Sequence, residues 1–462
     1  MTNLLLLAEA LTAGETTSVA LTKQCLANIA NDDGEGRRAF VKVYTEAALE
    51  TAQLSDRARK DGTVRSVLEG IPISIKDLFD EAGEVTRAGS IFFDEAEPAD
   101  RDAPAIARLR AAGVVVIGRT NMTEFAYGAH GTNCHYGTPL NPFDRASKRI
   151  AGGSTSGGAV SVTDGMAAAT IGSDTGGSVR IPAALCGLTG YKPTQARVPL
   201  QGAFPLSHTR DSIGPLGTTA SCCVLLDAAM AGEPIRLPEV ARLRGLCFGV
   251  PTTIVLDQLA VAVARDFERA LSVLSAAGAI IKEFAFTELQ DELDASRAAN
   301  FSGYEAYQLH RERLASALEK FDPNVSVRLL LGAKIKDEDY RALVDFRLRL
   351  MASANQTTSR FDALLMPTVP IIAPPLAELM VSDELFFRIN SLLLRNTAPF
   401  NVLDRPAWSL PCQVGRFTNK NQHPPVGLMV VGETNGDQKL QRIGLAVEMA
   451  INAVELAAGR GR

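Results

Sequence analysis

The sequence predicts an α/β protein built around one large sheet, and three observations carry that expectation. Ile71, Ile73 and Ile75 alternate with Pro72, Ser74 and Lys76, the period of two that marks a strand. A helical stretch follows and then the apolar run of residues 114–117, an order that reads as a parallel strand, helix, strand unit. Apolar runs at residues 167–171, 279–286 and 363–366, with the helical pattern of residues 266–276 between them, extend the alternation.

Taken in order, residues 1–60 read as helices, one of them capped by Thr17 or Ser18 and running through Ile29. The charged, glycine-bearing stretches 31–37 and 55–62 read as surface loops. In the period-two segment the three isoleucines face one way and Lys76 the other. Asp102 is the expected cap of the next helix, with Pro104 in its first turn and Gly113 at its end. The chain shows no internal repeat, low-complexity tract or clear linker, and the Pro-, Arg- and Gly-rich residues 232–249 form its weakest join.

Composition narrows the function classes. At 462 residues, with 46% hydrophobic and 21% charged residues, the chain can bury a sizeable core, although length alone leaves the domain count open. Lys and Arg number 47 against 52 Asp and Glu, and no block of five basic residues occurs, so nucleic acid is not an expected partner. Cys25, Cys134, Cys186, Cys222, Cys223, Cys247 and Cys412 form no C-x-x-C pair, which suits a reducing compartment and argues against structural zinc. The apolar start lacks a basic segment and is interrupted by Glu9, unlike a signal peptide, and no stretch approaches 18 apolar residues; the expected address is the cytoplasm, without a membrane partner. His130, His135, His208, His310 and His423 show no metal-binding spacing, so neither metal nor other cofactor is expected. The first three of them lie in segments expected to border the substrate pocket.

Chemistry concentrates in residues 151–190. This window holds ten of the 38 glycines, ten Ser or Thr, and only Asp164, Asp174 and Arg180 as charges. Glycine allows close backbone approach and positive φ, and clustered hydroxyls with few charges imply a buried polar site. A packing corner or phosphate-binding turn is the plainer reading, but neither G-x-x-x-x-G-K-[ST] nor G-x-G-x-x-G occurs. The hydrolase motifs G-x-S-x-G and S-x-x-K are also missing. Asp174 and Arg180 read as a buried ion pair holding a turn, a structural role.

Gly152-Gly153-Ser154-Thr155-Ser156-Gly157-Gly158, followed by Gly172-Ser173-Asp174-Thr175-Gly176-Gly177-Ser178-Val179-Arg180, resembles the signature of the amidase-signature family. The upstream Gly70-Ile71-Pro72-Ile73-Ser74-Ile75-Lys76-Asp77 matches as well, as do Asn121 to Phe125, Gly187 to Pro193, Asp211 to Pro215 and Pro425 to Leu428. The resemblance implies a single α/β/α domain over residues 1–462 around a large mixed, twisted sheet, with residues 1–60 as helices packed on it and 70–215 as the catalytic segment. It implies Ser178 as nucleophile, Ser154 as proton relay behind a cis Gly153–Ser154 peptide, and Lys76 as base, the lysine ending the first strand. It further implies an oxyanion hole from the backbone N–H groups of Thr175, Gly176, Gly177 and Ser178. Ser156 stands where many family members have glycine and has no assigned role.

The expected reaction is hydrolysis of a small-molecule carboxamide to acid and ammonia or amine through a seryl acyl-enzyme. Two other readings share the motifs: the A subunit of a glutamine-dependent tRNA amidotransferase, and a binding protein that keeps the fold without the reaction. Substrate pockets are expected near residues 127–135, 201–210 and beyond Asn300, and a homodimer is left open.

Overall fold

The computed structural model describes residues 3–412 and 424–459. Eleven strands among them form one sheet: β1 Phe40–Val43, β2 Pro72–Lys76, β3 Val115–Thr120, β4 Ala169–Ser173, β5 Thr189–Lys192, β6 Ile213–Gly217, β7 Cys247–Pro251, β8 Ile280–Phe284, β9 Ala363–Pro367, β10 Ala407–Pro411 and β11 Gly427–Val431. Their order is β1-β3-β2-β4-β6-β5-β10-β11-β9-β7-β8. β2 is parallel to both β3 and β4, whereas β4, β6, β5, β10, β11 and β9 follow one another antiparallel. The sheet is therefore mixed, as expected.

Alternation along the inner strands puts apolar side chains on both faces, so both must be covered. On one face Ile73, Ile75 and Val116 pack with Ile106 and Leu109 of helix Pro104–Ala112 and with Leu225 and Leu226 of helix Ala220–Ala231. On the other, Val115 and Ile117 pack with Ala48 and Ala52 of helix Thr45–Lys60 and with Val160 and Val162 of helix Ser156–Thr163. This double cover buries every residue of β2, Lys76 included.

Several local expectations need correction. The N-terminal segment is not all helix, because Phe40–Val43 pairs antiparallel with β3 as an edge strand. Lys76 consequently ends the second strand in chain order rather than the first. Residues 55–60 are not a loop but the last turns of helix Thr45–Lys60, whose buried Ala48, Ala52 and Ser55 recur at helical spacing. Asp102 does not cap the next helix; Ala103 occupies that position, and the Asp102 carboxylate accepts a hydrogen bond from the Ala82 amide at 2.8 Å. Thr17 does cap its helix, accepting from the Ala20 amide. Residues 232–246 are irregular, yet β7 immediately after them joins the same sheet. No helix among the described residues is long and apolar enough to cross a membrane.

Candidate active site

Parallel pairing of β2 with β4 sets Ile75 opposite Ile171, so both strands finish at one edge of the sheet and bring Lys76 and Ser173 together. Carboxyl ends of strands are where α/β sheets commonly place their chemistry. The Lys76 amine donates to Ser154 Oγ at 2.7 Å and to Ser173 Oγ at 3.0 Å. Lys76 is fully buried. Burial lowers its ammonium from the ordinary 10.5 to about 7, against the opposing pull of the Asp174 and Asp211 carboxylates.

Ser154 sits at the entrance to helix Ser156–Thr163, after a Gly153–Ser154 peptide that is cis, as the resemblance implies. Glycine is required at 153, since a Cβ there would lie 2.6 Å from the Gly131 amide nitrogen. The Gly153 amide donates to Ala129 O at 2.7 Å, and the Ser154 carbonyl accepts from the Thr123 amide at 3.2 Å. Ser156 begins the helix with a buried hydroxyl that has no hydrogen-bond partner among the described residues.

Ser178 closes the turn between β4 and helix Arg180–Cys186. It is 6% exposed and lines a cavity of about 640 Å³ together with Thr175 and Gly176. Ser154 and Ser178 adjoin through the backbone, the Thr155 amide donating to the Ser178 carbonyl at 3.3 Å. Among the described residues no hydrogen bond joins the two serine hydroxyls.

The turn is held from behind by Asp174. Its carboxylate accepts from the amides of Gly177 at 2.8 Å, Val179 at 3.1 Å and Arg180 at 3.3 Å. Arg180 returns both prongs of its guanidinium, at 3.0 and 2.8 Å, and also donates to Asn401 Oδ1 and to the Thr397 carbonyl. Burial pushes the Asp174 carboxyl up, but the Arg180 charge and hydrogen bonds outweigh it and hold the group well below the usual carboxylate range. Gly177 has φ +133°, and a Cβ there would clash with Thr397 Oγ1. Because the Gly177 amide already serves Asp174, only Thr175, Gly176 and Ser178 of the four expected oxyanion donors have amides without an acceptor among the described residues.

Breaking this buried pair yields a stability prediction. Arg180→Met leaves a buried carboxylate without its cation, and denaturant unfolding is expected to show a loss of about 3–5 kcal/mol. A loss under about 1 kcal/mol would show that the pair does not hold the turn.

Two groups here escape a reading of residue types. Ser173 shares the Lys76 amine, and only the parallel register of β2 and β4 reveals it. Asp211, 7% exposed, accepts hydrogen bonds from Thr175 Oγ1 and from the amides of Leu206 and Ser207, fixing the start of the turn. Burial raises its carboxyl to about 6.

The cavity wall uses the three expected segments, through Tyr127, Arg210 and, beyond Asn300, Arg328 and residues 387–399 among others, and an unexpected one, residues 292–298. No histidine among the described residues lines it. His130 bonds to the Phe386 carbonyl, His135 to Glu124, and His208 approaches Glu305. His423 lies outside the described residues.

Comparison with known proteins matches residues 20–440 to the family model described as Amidase. The chain is 33% identical to the A subunit of the glutamyl-tRNA(Gln) amidotransferase of Chloroflexus aggregans, over 95% of this chain and 94% of that one. It is also 33% identical to 2-amino-5-chloromuconic acid deaminase of Comamonas testosteroni, over 95% and 93% of the two chains. Among solved structures, a crystal structure of an amidase superposes with a TM-score of 0.85 at 35% identity, covering 97% of this chain and 99% of the other.

Proposed function

The chain belongs to the amidase family, and from that premise we propose that it cleaves a carboxamide C–N bond with Ser178 as nucleophile, Ser154 as relay and Lys76 as base. The observation that carries the reading is the buried Lys76 amine at 2.7 Å from Ser154, lowered to about 7 and so partly uncharged near neutral pH. A serine hydroxyl attacks an amide only if its proton is removed, and an ammonium cannot take it.

The steps then follow. Substrate enters the cavity with its carbonyl oxygen against the amides of Thr175, Gly176 and Ser178, and the Ser178 hydroxyl turns toward Ser154, a contact that tightens on binding. Ser178 Oγ bonds to the carbonyl carbon while its proton passes to Ser154, whose own proton passes to Lys76. On collapse the relay runs backward and protonates the leaving nitrogen, since an amine anion leaves poorly. Water, deprotonated by the same relay, releases the acid and restores Ser178. Ser173 and Asp174 act through other groups: the first orients the amine, the second holds the turn.

A second reading, in which the chain hydrolyses glutamine and delivers ammonia to a partner protein, is favoured by the 33% identity to the A subunit of an amidotransferase. The test is ammonia release by the isolated chain from glutamine and from aliphatic, aryl and indole-type amides. Turnover of simple amides without a second protein is expected. Glutamine hydrolysis that appears only when an amidotransferase partner is added would favour the second reading instead.

A further inference from the structure

Buried arginines in this protein generally have partners. Arg119 pairs with Asp77 and Glu81, Arg180 with Asp174, and Arg405 donates to Asn355 and Thr358. Arg210 is different. It is 8% exposed and lines the cavity with Ser178, and among the described residues its side chain makes neither a hydrogen bond nor an ion pair, whereas Arg405 lacks a partner at Nε but bonds through Nη2. The carboxylates of Glu292, Glu305 and Asp211 act on Arg210 only through space, and a buried guanidinium without a direct partner costs stability, which a ligand bonding to it would relieve.

The surroundings of Arg210 indicate what kind of ligand that is. The chain carries a net charge of -5, yet the cavity wall sets Arg210, Arg328, Lys334 and Arg395, beside an Arg297 that pairs with Asp294, against a single lining carboxylate, Glu292. Burial raises the Glu292 carboxyl against the opposing pull of Ser296, whose Oγ donates to it at 2.7 Å, and of Arg210. Arg328 donates to the Tyr127 carbonyl at 2.6 Å, lies 4.1 Å from the centre of the Tyr127 ring, and has no carboxylate partner among the described residues. Arg210 also stands beside the reacting centre: a Cβ built on Gly176 would lie 3.5 Å from its Nη2.

We propose that the amide substrate carries a carboxylate a few bonds from the scissile carbonyl, and that Arg210 is the specificity-determining residue that receives it. This rests on the amidase reading of the same cavity. A guanidinium fork matches a carboxylate through two parallel hydrogen bonds, and an anion entering here gives Arg210 the direct partner that the described residues do not supply. Arg328 adds to the field that draws the anion in.

The test measures binding by titration calorimetry to the Ser178→Ala variant, which holds substrate without turning it over. Succinamic acid, a monoamide with a free carboxylate, is compared with neutral succinamide. The acid is expected to bind about 10- to 100-fold tighter, adding Arg210→Gln to bring the two within about threefold, and adding Arg210→Lys to leave an intermediate preference. Equal affinities, no binding of the acid at millimolar concentration, or a preference unchanged in both Arg210 variants would overturn the assignment. Thermal melts accompany each variant; should Arg210→Gln fail to fold, the Arg210→Lys ratio decides. The amidase reading fails separately, if wild-type protein releases ammonia from no amide whatever the binding preference.

Discussion

Ser178→Ala is expected to lower amide turnover by about 10⁶-fold, the scale seen when a serine nucleophile is removed from a proton-relay system. The change deletes one oxygen whose hydroxyl takes part in no hydrogen bond among the described residues, so no buried partner is stranded. The turn should persist, because Asp174 holds it through the amides of residues 177, 179 and 180 and not through the serine side chain. Ammonia-release kinetics give the rate, circular dichroism and melting give the fold, and an electrophilic serine probe read by mass spectrometry should add its mass to wild type only. A variant within tenfold of wild type would mean that water attacks directly or that another group is the nucleophile. A wild-type protein that neither labels nor turns over any amide would favour a binding role.

The motif residues were legible because their chemistry is written in residue type and spacing. Gly177 shows both the reach and the limit of such reading. Its glycine signals the positive φ and close approach realised against Thr397, but nothing in its identity tells that its amide points back to Asp174 instead of into the oxyanion site. Ser173 likewise needed the register of β2 against β4, a long-range pairing that no local pattern encodes. The edge strand Phe40–Val43 escaped because four residues between helices are too few to show a period. Arg210 lies in one of the segments expected to form the pocket, but its lack of a partner is a fact about every neighbour at once. Helix Asp383–Arg395 presents an amphipathic sequence, and only its packing shows that Phe387, Asn390 and Leu394 line the cavity.

Lys76→Met is expected to lower kcat/KM by about 10⁴-fold, the upper range for loss of a positioned base. Methionine ends one atom short of the amine and keeps the apolar stem, so a rate loss with an intact melt points to the amine itself. In the wild type kcat/KM should rise with pH to a plateau, with its midpoint near the value of about 7 to which burial lowers the Lys76 ammonium. The variant should lose that limb. Stability supplies a second readout with a definite sign. Folded Lys76 titrates near about 7 and unfolded lysine near 10.5, so between them the unfolded chain binds more protons and stability rises with pH. The cost of burying the ammonium is therefore full below about pH 7 and fades toward 10.5. With the amine removed, the melting temperature should vary less with pH across that window, whereas a lysine that titrated near 10.5 in the folded and unfolded chain alike would leave the two profiles parallel. Near-normal turnover in Lys76→Met, or a wild-type rate flat from about pH 5 to 9, would reject the amine as the base.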